Sequence, residues 1–228
     1  MRNLLIPPAG PIGARTATVA AASRRDRYRR WVAATTLGEL VGFTNPALVG
    51  AAVTAAGLRQ AFTVVAMVLA ATGEGAVLGW AQSRVLRREL PDLRAADWVR
   101  ATAAGAALAW LIGMTPSSLH DTLATWPLLL LLPVGLLAGA ALLATIGVAQ
   151  WTVLRRHVGR SAVWVAANAL GWVAGLVVVF TAIGLAPSGP AAVAAAGVLG
   201  GLGMGLVVAL VTGAFLVCLL DRCGPPGT

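Results

Sequence analysis

Of the eight acidic residues in this chain of 228, two stand deep inside long apolar runs: Glu39 and Glu74. A carboxylate in such a setting costs several kcal/mol unless it is paired, protonated or hydrated, so its natural chemistry is that of a proton or cation site. Thr44 and Asn45, beside the helix-kinking Pro46, are placed to assist such a pair. A structural alternative has equal weight: Glu39 in contact with Arg84 or Arg100, and a protonated Glu74 bonded across helices. Gln82 and Gln150 sit about two turns from the ends of their runs, where their amides would meet lipid tails unless they face a neighbouring helix. Interhelical hydrogen bonds are the favoured reading for them, ahead of a solute site. The candidate intramembrane polar site is therefore Glu39, Asn45, Glu74, Gln82, Arg84, Gln150 and Asn168.

Enzymatic readings have less support. The two histidines, His120 and His157, fall in loops on opposite sides of the expected membrane and cannot share a site. No G-x-S-x-G elbow, H-E-x-x-H zinc motif or serine-histidine-acid set occurs. Adjacent His120 and Asp121 read as a solvated loop pair. Acid-base work by Glu39 and Glu74 is the one enzymatic option left. Cys218 and Cys223 have neither the number nor the spacing of a disulfide framework or a metal site. The glycine-rich Gly200-Gly201-Leu202-Gly203-Met204-Gly205 follows no strand and has no lysine or acidic partner, so it is not a nucleotide loop. No catalytic, cofactor-binding or metal site is expected.

The elements that must position these groups follow from composition. The chain is 58% hydrophobic and 11% charged, whereas soluble domains carry roughly a quarter charged residues. It reads as a membrane protein. All 17 basic residues are arginine, and with abundant Ala, Gly and Val they suggest a GC-rich, bacterial coding sequence. They fall between apolar runs rather than on a basic face, which argues for membrane topology and against nucleic-acid binding. Six runs are long enough to cross a bilayer: about 31–55, 61–87, 97–118, 126–154, 161–186 and 190–220. Lacking strict alternation, they predict helices rather than barrel strands. The opening residues form no signal peptide, since Leu4-Leu5-Ile6 stops at Pro7-Pro8. Residues 1–30 are expected to form a mobile, basic cytoplasmic tail ending in a collar of Arg24, Arg25, Arg27, Arg29 and Arg30, and residues 223–228 a short C-terminal tail.

The runs also repeat. WVAATTLGELVG at Trp31, WVRATAAGAALA at Trp98 and WVAANALGWVAG at Trp164 share W-V-x-A-[TN]-x-x-G-x-x-x-[GA], starting 67 and 66 residues apart. GWAQSRVLRR (79–88) is echoed by GVAQWTVLRR (147–156), and less closely around Gly213 and Arg222. The expected fold is an all-α, polytopic membrane helix bundle of six transmembrane helices, built as three tandem two-helix hairpin repeats: 31–88, 98–156 and 164–222. The third copy has Leu216 in place of the glutamine and Asp221 in place of an arginine. Two-span units are parallel repeats about an axis near the membrane normal. Sixteen of the 17 arginines fall on one side and only Arg59 on the other, so both termini are expected in the cytoplasm. Trp31, Trp98 and Trp164 are expected at the cytoplasmic interface with their N–H groups wet.

Small residues every four positions predict close helix seams. They are Gly197, Gly201, Gly205, Ala209 and Gly213 in the last run; Gly135, Gly139 and Gly147 in the fourth; Ala71, Gly75 and Gly79 in the second; and the pairs Gly38/Gly42, Gly105/Ala109 and Gly171/Gly175 in the others. The arginines ending V-L-R-R complement a helix C-terminus and can reach anionic lipid headgroups.

With the tryptophan motif, the Q-W-x-V-L-R segment resembles a group of uncharacterised bacterial multi-span membrane proteins in which that segment recurs. The resemblance covers Trp31 to Arg222 and brings no assigned chemistry. Ser83 replaces the tryptophan in the first copy, and the third copy has lost the glutamine. Two functions follow. The first is an integral membrane scaffold or accessory subunit acting through helix and lipid contacts, with a membrane protein partner. The alternative is a small-solute or proton/cation-coupled transporter or channel using Glu39 and Glu74. The scaffold ranks first because polar lining is sparse. The expected location is the bacterial cytoplasmic membrane.

Overall fold

A computed structural model describes residues 12–188 and 190–222. The expected segment 223–228, with Cys223, and the first eleven residues lie outside the described residues. Among the described residues the chain is all-helical: α1 (Ile12–Ala55), α2 (Gln60–Glu89), α3 (Ala95–Ser118), the single turn α4 (His120–Leu123), α5 (Leu128–Leu154), α6 (Val163–Gly184) and α7 (Pro190–Arg222). Long apolar runs form helices because a helix satisfies its own backbone hydrogen bonds. The breaks have local causes: Gly57 at φ +60 turns the chain after α1, and Pro127 precedes the first residue of α5.

Among the described residues, four helices are long and apolar enough to cross a membrane: α2, α5, α6 and the Val198–Arg222 part of α7. In the other two long helices polar residues interrupt the apolar stretch. In α1 these include Thr35, Thr36, Glu39, Thr44 and Asn45, and in α3 Asp97, Arg100 and Thr102.

The six long helices form a closed ring. Each packs on its two neighbours in chain order, α1 on α2, α2 on α3, α3 on α5, α5 on α6 and α6 on α7, and α7 returns to α1. Glycine lets the backbones meet. A Cβ on Gly75 would lie 2.7 Å from Ala106 Cβ and 2.8 Å from Ala103 Cα; one on Gly105 would lie 2.7 Å from Ile146 Cα. Gly147 faces Val165 and Asn168, and Gly205 faces Glu39. The expected ridge fails at Gly135 and Gly139, which have nothing within 4 Å of a Cβ. The first half of α5 is outward-facing there, with Leu129, Leu136 and Leu137 exposed, so close approach has no partner backbone to serve.

The arginine-rich end departs from expectation in two ways. Residues 24–30, expected in a tail, belong to α1, where Arg24 and Arg27 bind Asp221 of α7 at 2.6 and 2.9 Å. Arg30 also pairs with Asp26. Trp31, Trp98 and Trp164, expected at a wet interface, are fully buried and packed together. Trp31 meets Trp164 edge-on at 5.6 Å between ring centres, and Trp98 lies 6.1 Å from Trp164. Three indoles from three helices thus share one core with Leu86, Leu154 and Leu219. A buried indole must find an acceptor for its N–H, and all three do so within the ring.

Candidate functional site

The acceptors form a polar layer next to the tryptophans. Trp98 Nε1 donates to Gln82 Oε1 at 3.2 Å and Trp164 Nε1 to Gln150 Oε1 at 2.9 Å. Gln150 Nε2 donates to Gln82 Oε1 at 2.9 Å and to Thr102 Oγ1 at 3.0 Å. Where Leu216 replaces the third glutamine, Trp31 Nε1 turns one helical turn back and donates to Thr212 Oγ1 at 3.0 Å. Asn168, also buried, donates to the Trp164 carbonyl at 3.1 Å. Gln82 and Gln150 are therefore brought together across helices, whereas Asn168 bonds within its own helix. The layer joins α1 to α7, α2 to α3 and α5, and α5 to α6.

Two turns further from the tryptophans the ring encloses a cavity of about 430 Å³. All six long helices contribute to its wall, for example Phe43, Leu78, Trp110, Ile146, Trp172 and Met204. Glu39 and Glu74 line it as well. Glu39 is eight residues past Trp31 and Glu74 eight before Gln82, each about 12 Å along its helix, so both acids lie at a similar depth. The cavity opens away from the tryptophan end, where Phe180 and Ile183 line it while being exposed themselves.

The two carboxyls differ in their partners. Glu74, 6% exposed, accepts a hydrogen bond from Trp110 Nε1 at 3.1 Å. Glu39 is 2% exposed, and neither of its oxygens has a hydrogen-bond partner. One turn nearer the tryptophans, the Thr35 hydroxyl is also buried and unpaired. The expected contact of Glu39 with Arg84 or Arg100 is absent. Arg84 is exposed and stacks on Trp80, 4.1 Å from the ring centre, while Arg100 pairs with Asp97 at 3.7 Å. No arginine or histidine lines the cavity among the described residues.

Arg84 and Asn45 thus stand apart from the other candidate residues. Asn45 Nδ2 donates to the Ala70 carbonyl at 2.9 Å, tying α1 to α2 beside Gly73, and Thr44 Oγ1 donates to the Val41 carbonyl of its own helix at 2.5 Å. His120 and Asp121 form an exposed pair at 3.4 Å. Cys218 is an exposed thiol.

Sequence reasoning missed the aromatic wall of the cavity, Phe43, Trp110, Trp172 and Phe180, although the spacing held a signal. The positions eight residues past the three tryptophans are Glu39, Ala106 and Trp172; those twelve past are Phe43, Trp110 and Leu176. All six line the cavity.

Chemically the site is an apolar cup with two acids in its wall. Among the described residues no three metal-ligating side chains converge. Comparisons with protein-family models, curated proteins and solved structures gave no match.

Proposed function

We propose that this protein is a carrier of the bacterial cytoplasmic membrane that admits a small solute into the central cavity and couples its passage to proton or cation binding at Glu39 and Glu74. One observation carries the reading: a cavity walled by all six long helices contains both intramembrane acids, one of them with its two oxygens unpartnered. A buried carboxyl left without a partner is retained against its own cost, which argues for use. In this reading α1 and α3 cross the membrane with the four more apolar helices, and the six crossings form three hairpins, 31–88, 98–156 and 164–222. The equivalent cavity positions after each tryptophan, and the indole bonds from each hairpin to the one before it, support that arrangement. The arginine-rich, tryptophan-sealed end faces the cytosol, and the cavity opens outward.

The test uses proteoliposomes loaded with a pH-sensitive dye and challenged with a panel of organic cations, neutral amphiphiles and amino acids. A solute-induced internal pH change that vanishes in the double variant Glu39→Gln/Glu74→Gln is expected. No pH response to any member of the panel, or an undiminished response in the double variant, overturns the reading. Impermeant labelling of single cysteines placed at Arg88 and Arg156 checks orientation, and the expectation is protection in intact cells.

The scaffold reading retains one observation, the outward half of α5 with its open Gly135 and Gly139 and exposed leucines. A membrane protein that co-purifies in gentle detergent and is lost on Gly139→Leu would favour it.

A further inference from the structure

We propose that the cavity is a binding site for a lipophilic organic cation, an ion with its charge on an ammonium, phosphonium or pyridinium centre wrapped in hydrocarbon or aromatic groups; this rests on the carrier reading above and names its substrate class. The wall sets the class. Two acidic side chains meet an otherwise apolar surface, and no arginine or histidine among the described residues offsets them. An anion would face carboxylates with no cation to bind it. A neutral hydrocarbon would fill the cup but leave both Glu39 oxygens without a partner, a costly state for a buried polar group.

Small inorganic cations are poorly served. Calcium takes six to eight oxygens, and magnesium holds a near-octahedral shell with several waters. Glu39 and Glu74 cannot replace such a shell, and the remaining wall is hydrocarbon and aromatic ring. A cation whose charge is already shielded by its own carbon needs no such shell. It needs a counter-charge, for which Glu39 is the acid in the wall with no competing hydrogen bond, and π faces, which Phe43, Trp110, Trp172 and Phe180 supply. The volume of about 430 Å³ suits a drug-sized molecule. The mouth is equally suited, since the exposed Phe180 and Ile183 give an amphiphile an apolar path inward.

The experiment compares three probes of similar bulk on the intact chain in detergent, with protein-free micelles subtracted: tetraphenylphosphonium, tetraphenylborate and triphenylphosphine oxide. Saturable binding is followed by equilibrium dialysis and by quenching of tryptophan fluorescence. The cation is expected to bind about tenfold or more tighter than the anion or the neutral oxide, and to lose about tenfold or more in Glu39→Gln. The comparison among probes needs no variant, so a poorly folding Glu39→Gln leaves the test intact. Equal binding of all three probes, or tightest binding of the anion or the oxide, overturns the cation preference while leaving the carrier reading to stand. Absence of saturable binding by any probe overturns the substrate class, and the carrier reading is then judged by the proteoliposome panel alone.

Discussion

Two neighbouring layers of one ring treat buried polarity in opposite ways. In the layer beside the tryptophans, Gln82, Gln150, Thr102, Thr212 and three indole N–H groups are satisfied across helices. About two turns away, Glu39 is buried as deeply and bonds to nothing. The first layer behaves like a structural clamp, since its indole and glutamine bonds fix one helix against another. The second has the cost of buried polarity without its structural return, which is the pattern the carrier reading proposed above calls for. The difference teaches that polarity inside a membrane bundle is informative only once its partners are counted.

Five substitutions test that contrast, from the largest effect to the smallest. Gly75→Val removes the frame that holds both layers, because its Cβ would meet Ala106 and Ala103 at 2.7 and 2.8 Å. A loss of about 3 kcal/mol or more is expected, read as a collapse of the folded fraction in a denaturing-detergent titration. Gln150→Leu strips the clamp of its central member and strands Trp164 Nε1. The same titration should show about 2 kcal/mol lost; an unchanged midpoint would mean that the network carries little of the fold.

Glu39→Leu has the opposite sign. Replacing an unpartnered acid by an apolar group should stabilise the bundle by about 1–2 kcal/mol while solute-coupled pH changes in proteoliposomes disappear. A destabilised Glu39→Leu would place Glu39 among the structural groups and erase the contrast. Thr212→Val takes the acceptor from Trp31 alone, and thermal unfolding in detergent should register about 1 kcal/mol or less. Gly139→Val, where a Cβ meets nothing within 4 Å, should leave the midpoint within about 0.5 kcal/mol of the parent.

Much of this architecture was legible from residue types. The apolar runs dictate helices, and the recurring Gly and Gln mark faces that turn toward a neighbouring helix. Glu39 and Glu74 stand out as acids inside long apolar runs, and both line the cavity. Gln82 and Gln150 were read as interhelical bond-makers, and they bond to each other.

What escaped depends on neighbours that a single chain does not spell out. Indoles favour the membrane interface, and the sequence places the tryptophans there. Yet three of them from different helices bury one another, a gain visible only when the ring closes. Asp221, standing in place of an arginine, receives Arg24 and Arg27 from the first helix. Leu216 in place of a glutamine is answered by Thr212, one turn earlier. The open glycines of α5 mark the reverse case, where a small-residue rhythm continues past the point at which any partner comes near.

The contact between α7 and α1 has a consequence for how the chain is threaded. Because the last helix seats itself beside the first through the same kind of indole bond that joins the inner neighbours, the ring has no seam between α7 and α1. A circularly permuted gene, cut between Glu89 and Ala95 and spliced across the old ends by a flexible linker, should fold into the same six-helix wheel around the same acidic cup.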